Sequence, residues 1–196
     1  ESIADTSKIL STYGNAFMLR TDSDKKLDEF KKYSNIPIIN GLSPSSHPTQ
    51  VLSDIFTIQE IKKKSISKLK LCWIGDANNN MMNSLIEACI KFSVSLNIAC
   101  PKSYQPNKKL ISLIKKQKGK IKIFNKKEIA IKNSDVVMTD KIISLNDKVN
   151  KKKKLKSFKN FKVDTKTMNL AKKDAIFLHC LPRGNEVTEE VFLGKQ

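Results

Sequence analysis

The residues best suited to chemistry lie near the end of the chain, in the run His179-Cys180-Leu181-Pro182-Arg183. This run follows the apolar segment 175–178 and places an imidazole, a thiol and a guanidinium around a proline-fixed turn. The chain has only two histidines, and its only other arginine is Arg20. Since lysine supplies nearly all of the positive charge, an arginine at this turn indicates a need for forked hydrogen bonding. The end of this strand is therefore the first candidate for a functional site.

The pattern of apolar residues in the first third of the chain predicts helices and two short strands. Apolar spacing predicts a helix within 2–18 and another at 24–33, and short apolar runs predict strands at 16–19 and 36–40. An amphipathic helix with one apolar stripe is predicted at 49–63. Because this helix lies between two groups of strands, we expect it to connect two lobes.

From Leu69 onward, strands and helices alternate in the sequence. Strands are predicted at 71–76, 95–100, 120–124, 135–140 and 175–180. Buried strands that alternate with helices are typical of an α/β fold with a doubly wound parallel sheet. Ligands bind such sheets beyond the carboxyl ends of the strands, and this rule selects the loops at 75–80, 139–145 and 179–183.

The polar side chains near these strand ends are ambiguous when each is taken alone. Asp76 and the asparagines at 78–80 can simply cap a helix, and Asp140 with Ser144 can form an ordinary turn. A histidine before a helix, such as His47, is more often structural than catalytic. The sequence shows neither a GxGxxG dinucleotide fingerprint nor a Cys-His-Asn signature. The shared position of these residues at strand ends still favours a small-molecule site.

The composition narrows the class of protein. An apolar content of 39% allows a packed core, while no apolar stretch is long enough to span a membrane and the start shows no signal peptide. The formal net charge of +18 would suit a nucleic-acid partner. However, the lysines are spread along the chain, and blocks such as 151–154 lack interleaved aromatic residues. We therefore expect solvated lysine faces, with nucleic-acid binding as the less favoured alternative.

Three of the four cysteines, Cys72, Cys89 and Cys100, lie in apolar runs. They predict small core residues with reduced thiols, as is usual in a cytosolic protein.

A series of motifs, in order along the chain, resembles the aspartate/ornithine carbamoyltransferase family. They are Asp5-Thr6, Asn40-Gly41-Leu42, His47-Pro48-Thr49-Gln50, Trp73-Ile74-Gly75-Asp76, Asn79-Asn80, Pro101-Lys102, Thr139-Asp140, Ser144, the run 179–183 and Glu189-Glu190-Val191-Phe192. The HCLP run together with the Gly-Asp and Asn-Asn pairs favours the ornithine branch. The resemblance implies a two-lobed carbamoyltransferase architecture: a partial carbamoyl-phosphate lobe at 1–48, an inter-domain helix at 49–63, and an ornithine lobe at 64–196 built on the doubly wound sheet.

The resemblance also implies a reaction. The side-chain amine of L-ornithine attacks the carbamoyl carbon of carbamoyl phosphate, and citrulline and phosphate are released, as in arginine biosynthesis or the urea cycle. Positions that correspond to the family's carbamoyl-phosphate site are Arg20, His47, Gln50, Cys180 and Leu181. Of these, the catalytic positions are Arg20, His47 and Cys180. Positions that correspond to its ornithine site are Asn80, Asp140, Ser144 and Leu145. No metal or organic cofactor is expected, and the family implies a cytoplasmic homotrimer that does not contact the membrane.

The sequence departs from the family pattern in three places. The Ser-x-Arg-Thr-Arg phosphate motif and a final arginine-bearing helix are absent, so we expect these 196 residues to be an incomplete and inactive piece of an active enzyme. Ser144-Leu145-Asn146 stands where the family has Ser-Met-Gly, which leaves open a carbamoyltransferase for another amine such as putrescine. A non-enzymatic basic binding module remains a further alternative because of the high net charge.

Overall fold

The computed structural model describes residues 2–116, 120–143 and 150–194. Its first part holds two short parallel strands, β1 (Phe17–Arg20) and β2 (Ile38–Leu42), with the helices α1 (Ile3–Leu10) and α2 (Asp24–Tyr33) packed against each other. The helix predicted within 2–18 ends at Leu10, because the hydroxyls of Ser11 and Thr12 bond back to the last turn and Gly14-Asn15 then favours a turn.

The second part is built on a five-stranded parallel sheet. Its strands are β3 (Lys70–Ile74), β4 (Ser95–Ala99), β5 (Ile121–Phe124), β6 (Val136–Met138) and β7 (Ile176–Leu178). Their spatial order is β5-β4-β3-β6-β7, and every neighbouring pair is parallel. The predicted doubly wound sheet is therefore confirmed, and the strand order reverses between β3 and β6.

Helices cover both faces of this sheet. They are α3 (Pro48–Lys62), α4 (Asn80–Lys91), α5 (Lys108–Lys115), α6 (Lys127–Ala130), α7 (Lys151–Ser157), α8 (Thr165–Met168) and α9 (Glu189–Phe192), with 3₁₀ turns at Ile66–Lys68, Lys102–Tyr104 and Lys159–Phe161. Along β3, Leu71 and Trp73 belong to one apolar cluster, whereas Cys72 and Ile74 belong to the other. This period of two explains why β3 reads as a continuous apolar run.

The helix predicted at 49–63 is present as α3, which packs against both β2 and α4. Its first turn begins at Pro48, a position where the missing N–H of proline costs nothing. The predicted cap of the following helix is also present, since the Asn79 side chain accepts a hydrogen bond from the Met82 N–H. Among the described residues, no helix combines the length and apolarity that a membrane crossing requires.

One lysine of the 151–154 block is buried, although all four were predicted to lie on a solvated face. The Lys154 side chain is only 6% exposed, and its Nζ lies 2.7 Å from Asp76 Oδ2, on a carboxylate that is equally buried. The Nζ also lies over the Tyr104 ring, 5.6 Å from its centroid. The expectation was therefore wrong for Lys154, because its position on α7 turns it inward onto the loop after β3. Its neighbours Lys151 to Lys153 are exposed, as expected.

Replacement of Lys154 by methionine should destabilise the fold strongly. The change removes one partner and leaves the Asp76 carboxylate buried without its ion pair, which typically costs about 3–5 kcal/mol. Urea unfolding measures this loss. The matched control is Lys153→Met on the exposed face of the same helix, for which we expect a change within about 0.5 kcal/mol. Equal losses in the two variants would contradict the assigned role of the pair.

Candidate active site

A cavity of about 480 Å³ opens at the carboxyl ends of β3, β6 and β7. The first residues of α3 and the end of β1 form its opposite wall. Every predicted site residue that the structure describes lines this cavity: Arg20, His47, Gln50, Asn80, Asp140, Cys180 and Leu181. The predicted Ser144 and Leu145 lie outside the described residues. The described residues of the three loops selected from the sequence therefore do converge, and they do so where the strand order reverses.

The loop after β3 is shaped by a close approach to β6. Gly75 has φ +151°, and a Cβ atom there would lie 3.2 Å from the Thr139 hydroxyl, which itself donates to the Ile74 carbonyl. A side chain at this position would separate the ends of β3 and β6. The next residue, Asp76, accepts a hydrogen bond from the Asn78 N–H at 2.9 Å and so folds the loop that leads to Asn80.

His47 stands at the start of α3, facing the cavity. Its backbone N–H donates to the Ser84 hydroxyl at 2.8 Å, and its Nδ1 lies 3.3 Å from the Thr49 hydroxyl. Burial, together with the positive charge of Arg20, lowers the pKa of His47 against the opposing effect of Asp140. At neutral pH the imidazole is therefore uncharged, with one N–H that can donate.

Asn80 and Asn83, on α4, reach across to the loop before α3. The Asn80 side-chain amide donates to the Ser43 carbonyl at 3.1 Å, and that of Asn83 donates to the Ser45 carbonyl at 2.8 Å. Asn80 thus lines the cavity while one of its two amide hydrogens holds the two walls together. Among the described residues, the second amide hydrogen and the oxygen of Asn80 make no hydrogen bond, so they are its groups for a ligand.

Cys180 and Asp140 lie beside each other at the ends of β7 and β6. The thiol donates to Asp140 Oδ1 at 2.9 Å. Burial above all, and then the Asp140 carboxylate, raise the pKa of Cys180 to about 12. The thiol therefore stays protonated at neutral pH, whereas a nucleophilic cysteine needs a thiolate. This geometry favours a positioning role for Cys180 over covalent catalysis.

The turn that carries Cys180 and Leu181 is held from behind by His179. The His179 side chain is only 1% exposed, and its Nε2 lies 2.9 Å from Glu186 Oε1, while its Nδ1 bonds the Cys180 carbonyl. Glu186 also accepts the Gly184 N–H. His179 therefore supports the turn from its buried side, while the solvent-accessible Cys180 and Leu181 line the cavity.

Sequence reasoning missed two polar residues of the cavity wall, Asp54 and Lys154. Asp54 lies one helical turn after Gln50, and Gln50 Nε2 donates to Asp54 Oδ1 at 2.9 Å. The spacing of four residues on a predicted helix was a signal that could have found Asp54. The inward direction of Lys154 had no comparable local signal.

The cavity can hold a small molecule with charges of both signs. Arg20 and the neutral His47 offer hydrogen-bond donors on one wall, and Asp140 offers a carboxylate on the other. Arg20 and Asp140 shift the pKa of His47 in opposite directions, which shows that both charges act on the same place. A ligand or a pair of ligands that carries an anion and an amine fits this arrangement.

Comparison with known proteins defines the class of this two-lobed fold and site. Residues 67–196 match the aspartate/ornithine carbamoyltransferase Asp/Orn-binding domain, and residues 1–60 match the carbamoyl-P-binding domain of the same family. The chain therefore belongs to the aspartate/ornithine carbamoyltransferase family.

Its relatives come from the ornithine branch. Over its whole length the chain is 43% identical to an ornithine carbamoyltransferase of Caldicellulosiruptor saccharolyticus, of which it spans 65%. The crystal structure of an anabolic ornithine carbamoyltransferase from Campylobacter jejuni is similar with a TM-score of 0.89 and 40% identity, over 98% of this chain and 65% of that one. The Pyrococcus furiosus enzyme gives a TM-score of 0.88 and 36% identity, over 100% of this chain and 64% of that one.

Cys180 should react slowly with iodoacetamide at about pH 8, at least about tenfold more slowly than a free cysteine, because its thiolate fraction is small. Mass spectrometry of the alkylated protein measures the rate, and the other three cysteines are buried. Asp140→Asn removes the neighbouring negative charge and should accelerate the reaction. A wild-type rate equal to that of free cysteine would contradict the protonated thiol.

The Glu186 carboxylate should contribute stability that is lost in acid. Burial raises the pKa of Glu186, but the hydrogen bonds from His179 and from the Gly184 N–H lower it. Their combined effect is larger, so the pKa lies below its ordinary value of 4.5. A depressed pKa contributes stability above the ordinary value, and this contribution disappears as the pH falls through the folded value. Wild-type protein should therefore lose more stability than Glu186→Gln between about pH 6 and about pH 3.5 in urea unfolding.

The control for this experiment is Glu87→Gln, on the exposed face of α4. This variant should keep the pH dependence of the wild type. If Glu186→Gln kept it as well, the buried hydrogen bonds of Glu186 would not be the source of the acid sensitivity.

Proposed function

We propose that the protein carrying this chain transfers the carbamoyl group of carbamoyl phosphate to the side-chain amine of L-ornithine. The observation that carries this proposal is the convergence of Arg20, His47 and Gln50 with Asn80, Asp140 and Cys180 on one cavity. The family of the chain and the names of its relatives point to the same substrates. The chain spans 65% of its Caldicellulosiruptor relative, so the reaction is assigned to the protein that contains it.

The donor wall suits the carbamoyl phosphate. The Arg20 guanidinium can bond two oxygens of the phosphate dianion. His47 is uncharged and can donate an N–H to the carbamoyl oxygen, where negative charge grows as the amine attacks. A neutral donor is suited to this task, since it stabilises the developing charge without a proton transfer.

The acceptor wall suits ornithine. We assign the Asp140 carboxylate to the α-ammonium group and the second amide hydrogen of Asn80 to the α-carboxylate. Cys180 and Leu181, which line the cavity next to Asp140, are assigned to the reacting amine. The amine attacks the carbamoyl carbon, the bond to the phosphate oxygen breaks, and the proton lost by the amine leaves with phosphate. Alignment of the two substrates supplies a large part of the acceleration.

We also propose that the whole protein is a cytoplasmic homotrimer that acts in arginine biosynthesis. The four free cysteines agree with a reducing compartment. Sedimentation of the purified natural protein tests the trimer.

The longest natural protein that contains this sequence should form citrulline from carbamoyl phosphate and ornithine. His47→Ala should lower kcat by about 100-fold or more, because it removes a donor to the developing oxyanion. Asp140→Asn should act mainly on the KM for ornithine. A colorimetric citrulline assay measures both effects, and Lys153→Ala on α7 serves as an exposed control.

Two outcomes would contradict the proposal. If the natural protein forms no citrulline in the assay, its assignment as this enzyme is wrong. Preference for another amine, such as putrescine, in direct competition would keep carbamoyl transfer but replace ornithine as the acceptor.

A further inference from the structure

Gln50 and Asp54 form a pair of side chains on the cavity side of α3. They lie one turn apart, both are half-buried, and both line the cavity. Gln50 Nε2 donates to Asp54 Oδ1 at 2.9 Å. Among the described residues, the Gln50 amide oxygen makes no hydrogen bond.

The chemistry of the pair fixes which end of the amide faces Asp54. An ionised carboxylate has no proton to donate, so it must meet the amide nitrogen and not the amide oxygen. The oxygen at the other end of the same amide is then left for a donor in the cavity. The orientation of the Gln50 amide, and with it the position of its oxygen acceptor in the cavity, thus depends on Asp54.

The surroundings of Asp54 argue against a pair that only stabilises the helix. Exposed pairs at this spacing contribute little, and they do not need a half-buried acid. Burial raises the pKa of Asp54, the Gln50 hydrogen bond lowers it, and the negative charge of Asp140 raises it again. A carboxylate that is kept among unfavourable neighbours is a frequent property of functional sites.

The ligand of this acceptor follows from the proposed function, on which the inference rests. A carbamoyl group carries an NH₂ with two donors, whereas the acetyl group of nearly equal shape carries a methyl group. A fixed acceptor forms a hydrogen bond with the carbamoyl NH₂, but it stays unsatisfied beside the acetyl methyl group. Of the other polar groups of this wall, Arg20 can only donate, and the proposed function uses His47 as a donor to the carbamoyl oxygen, so neither makes this distinction.

We propose that Asp54 is a positioning residue that holds the Gln50 oxygen towards the cavity and thereby selects carbamoyl phosphate over acyl phosphates. Asp54 acts through Gln50 and does not itself touch the substrate.

The test measures how well the longest natural protein that contains the chain discriminates carbamoyl phosphate from acetyl phosphate. Its readout is the inhibition constant of acetyl phosphate divided by the KM for carbamoyl phosphate, with inorganic phosphate as a second inhibitor. In Asp54→Leu the ratio should fall by about tenfold, because the amide can rotate. Inhibition by inorganic phosphate, which has neither an amino nor a methyl group, should change by less than about twofold.

Further variants separate positioning from a general loss of structure. Asp54→Asn keeps an oxygen acceptor and should restore part of the ratio. Gln50→Leu should lose as much discrimination as Asp54→Leu, and the double variant should lose no more than either. Glu60→Leu, at an exposed position of the same helix, should keep the wild-type ratio.

The failure of this inference can be distinguished from that of the proposed function. If the wild type forms no citrulline, the proposed function fails. If the wild type is active but Asp54→Leu keeps its ratio, or loses affinity for inorganic phosphate in parallel, the positioning role of Asp54 is wrong. If Asp54→Leu does not fold, the Asp54→Asn and Gln50→Leu ratios decide: an unchanged ratio in Gln50→Leu overturns the inference.

Discussion

The pairing of β3 with β4 on one side and with β6 on the other is the constraint on which the rest of the structure depends. The chain first extends the sheet from β3 to β4 and β5, and then returns to add β6 and β7 at the opposite edge of β3. Parallel strands point their carboxyl ends the same way, so the loops after β3, β6 and β7 meet at one edge. The reversal of strand order separates the helices that follow, and the cavity forms between them.

Two buried polar pairs then hold these loops in place. Lys154 ties α7 to the loop after β3 through Asp76, and Glu186 ties the segment before α9 to the turn after β7 through His179. Buried polar pairs of this kind contribute little net stability compared with apolar residues, because their groups lose their hydration. Their value here is geometric: each joins a cavity loop to an element later in the chain. Asp54 differs, because its described hydrogen-bond partner is the neutral amide of Gln50.

The sequence predicted the sheet and the three strand-end loops of the cavity because these depend on local patterns, whereas Arg20, His47 and Gln50 were assigned to the site through the family resemblance. A buried parallel strand such as β3 is apolar on both faces, and the residues after it are polar, so its end is visible in the sequence. The end of α1 was missed because local hydroxyl bonds stopped a helix that apolar spacing alone would continue. The inward direction of Lys154 could not be predicted, since its partner Asp76 is distant in sequence. The Asn80 contact with Ser43 was hidden for the same reason, because it joins two separate parts of the fold.

The charge of the chain and the charge of the cavity serve different purposes. The chain carries 37 basic and 19 acidic residues, so its long-range field attracts anions. The cavity wall nevertheless includes Asp54, Asp76 and Asp140. In a chain so rich in lysine, three acids gathered on the wall of one cavity need a specific reason. Asp76 is paired with Lys154; in the proposals made above, Asp140 is the carboxylate for an amine and Asp54 orients Gln50. Under the proposed function, the overall charge brings the phosphate-bearing substrate to the cavity. At close range, Asp140 then binds the ornithine amine, and Asp54 selects the carbamoyl group through Gln50.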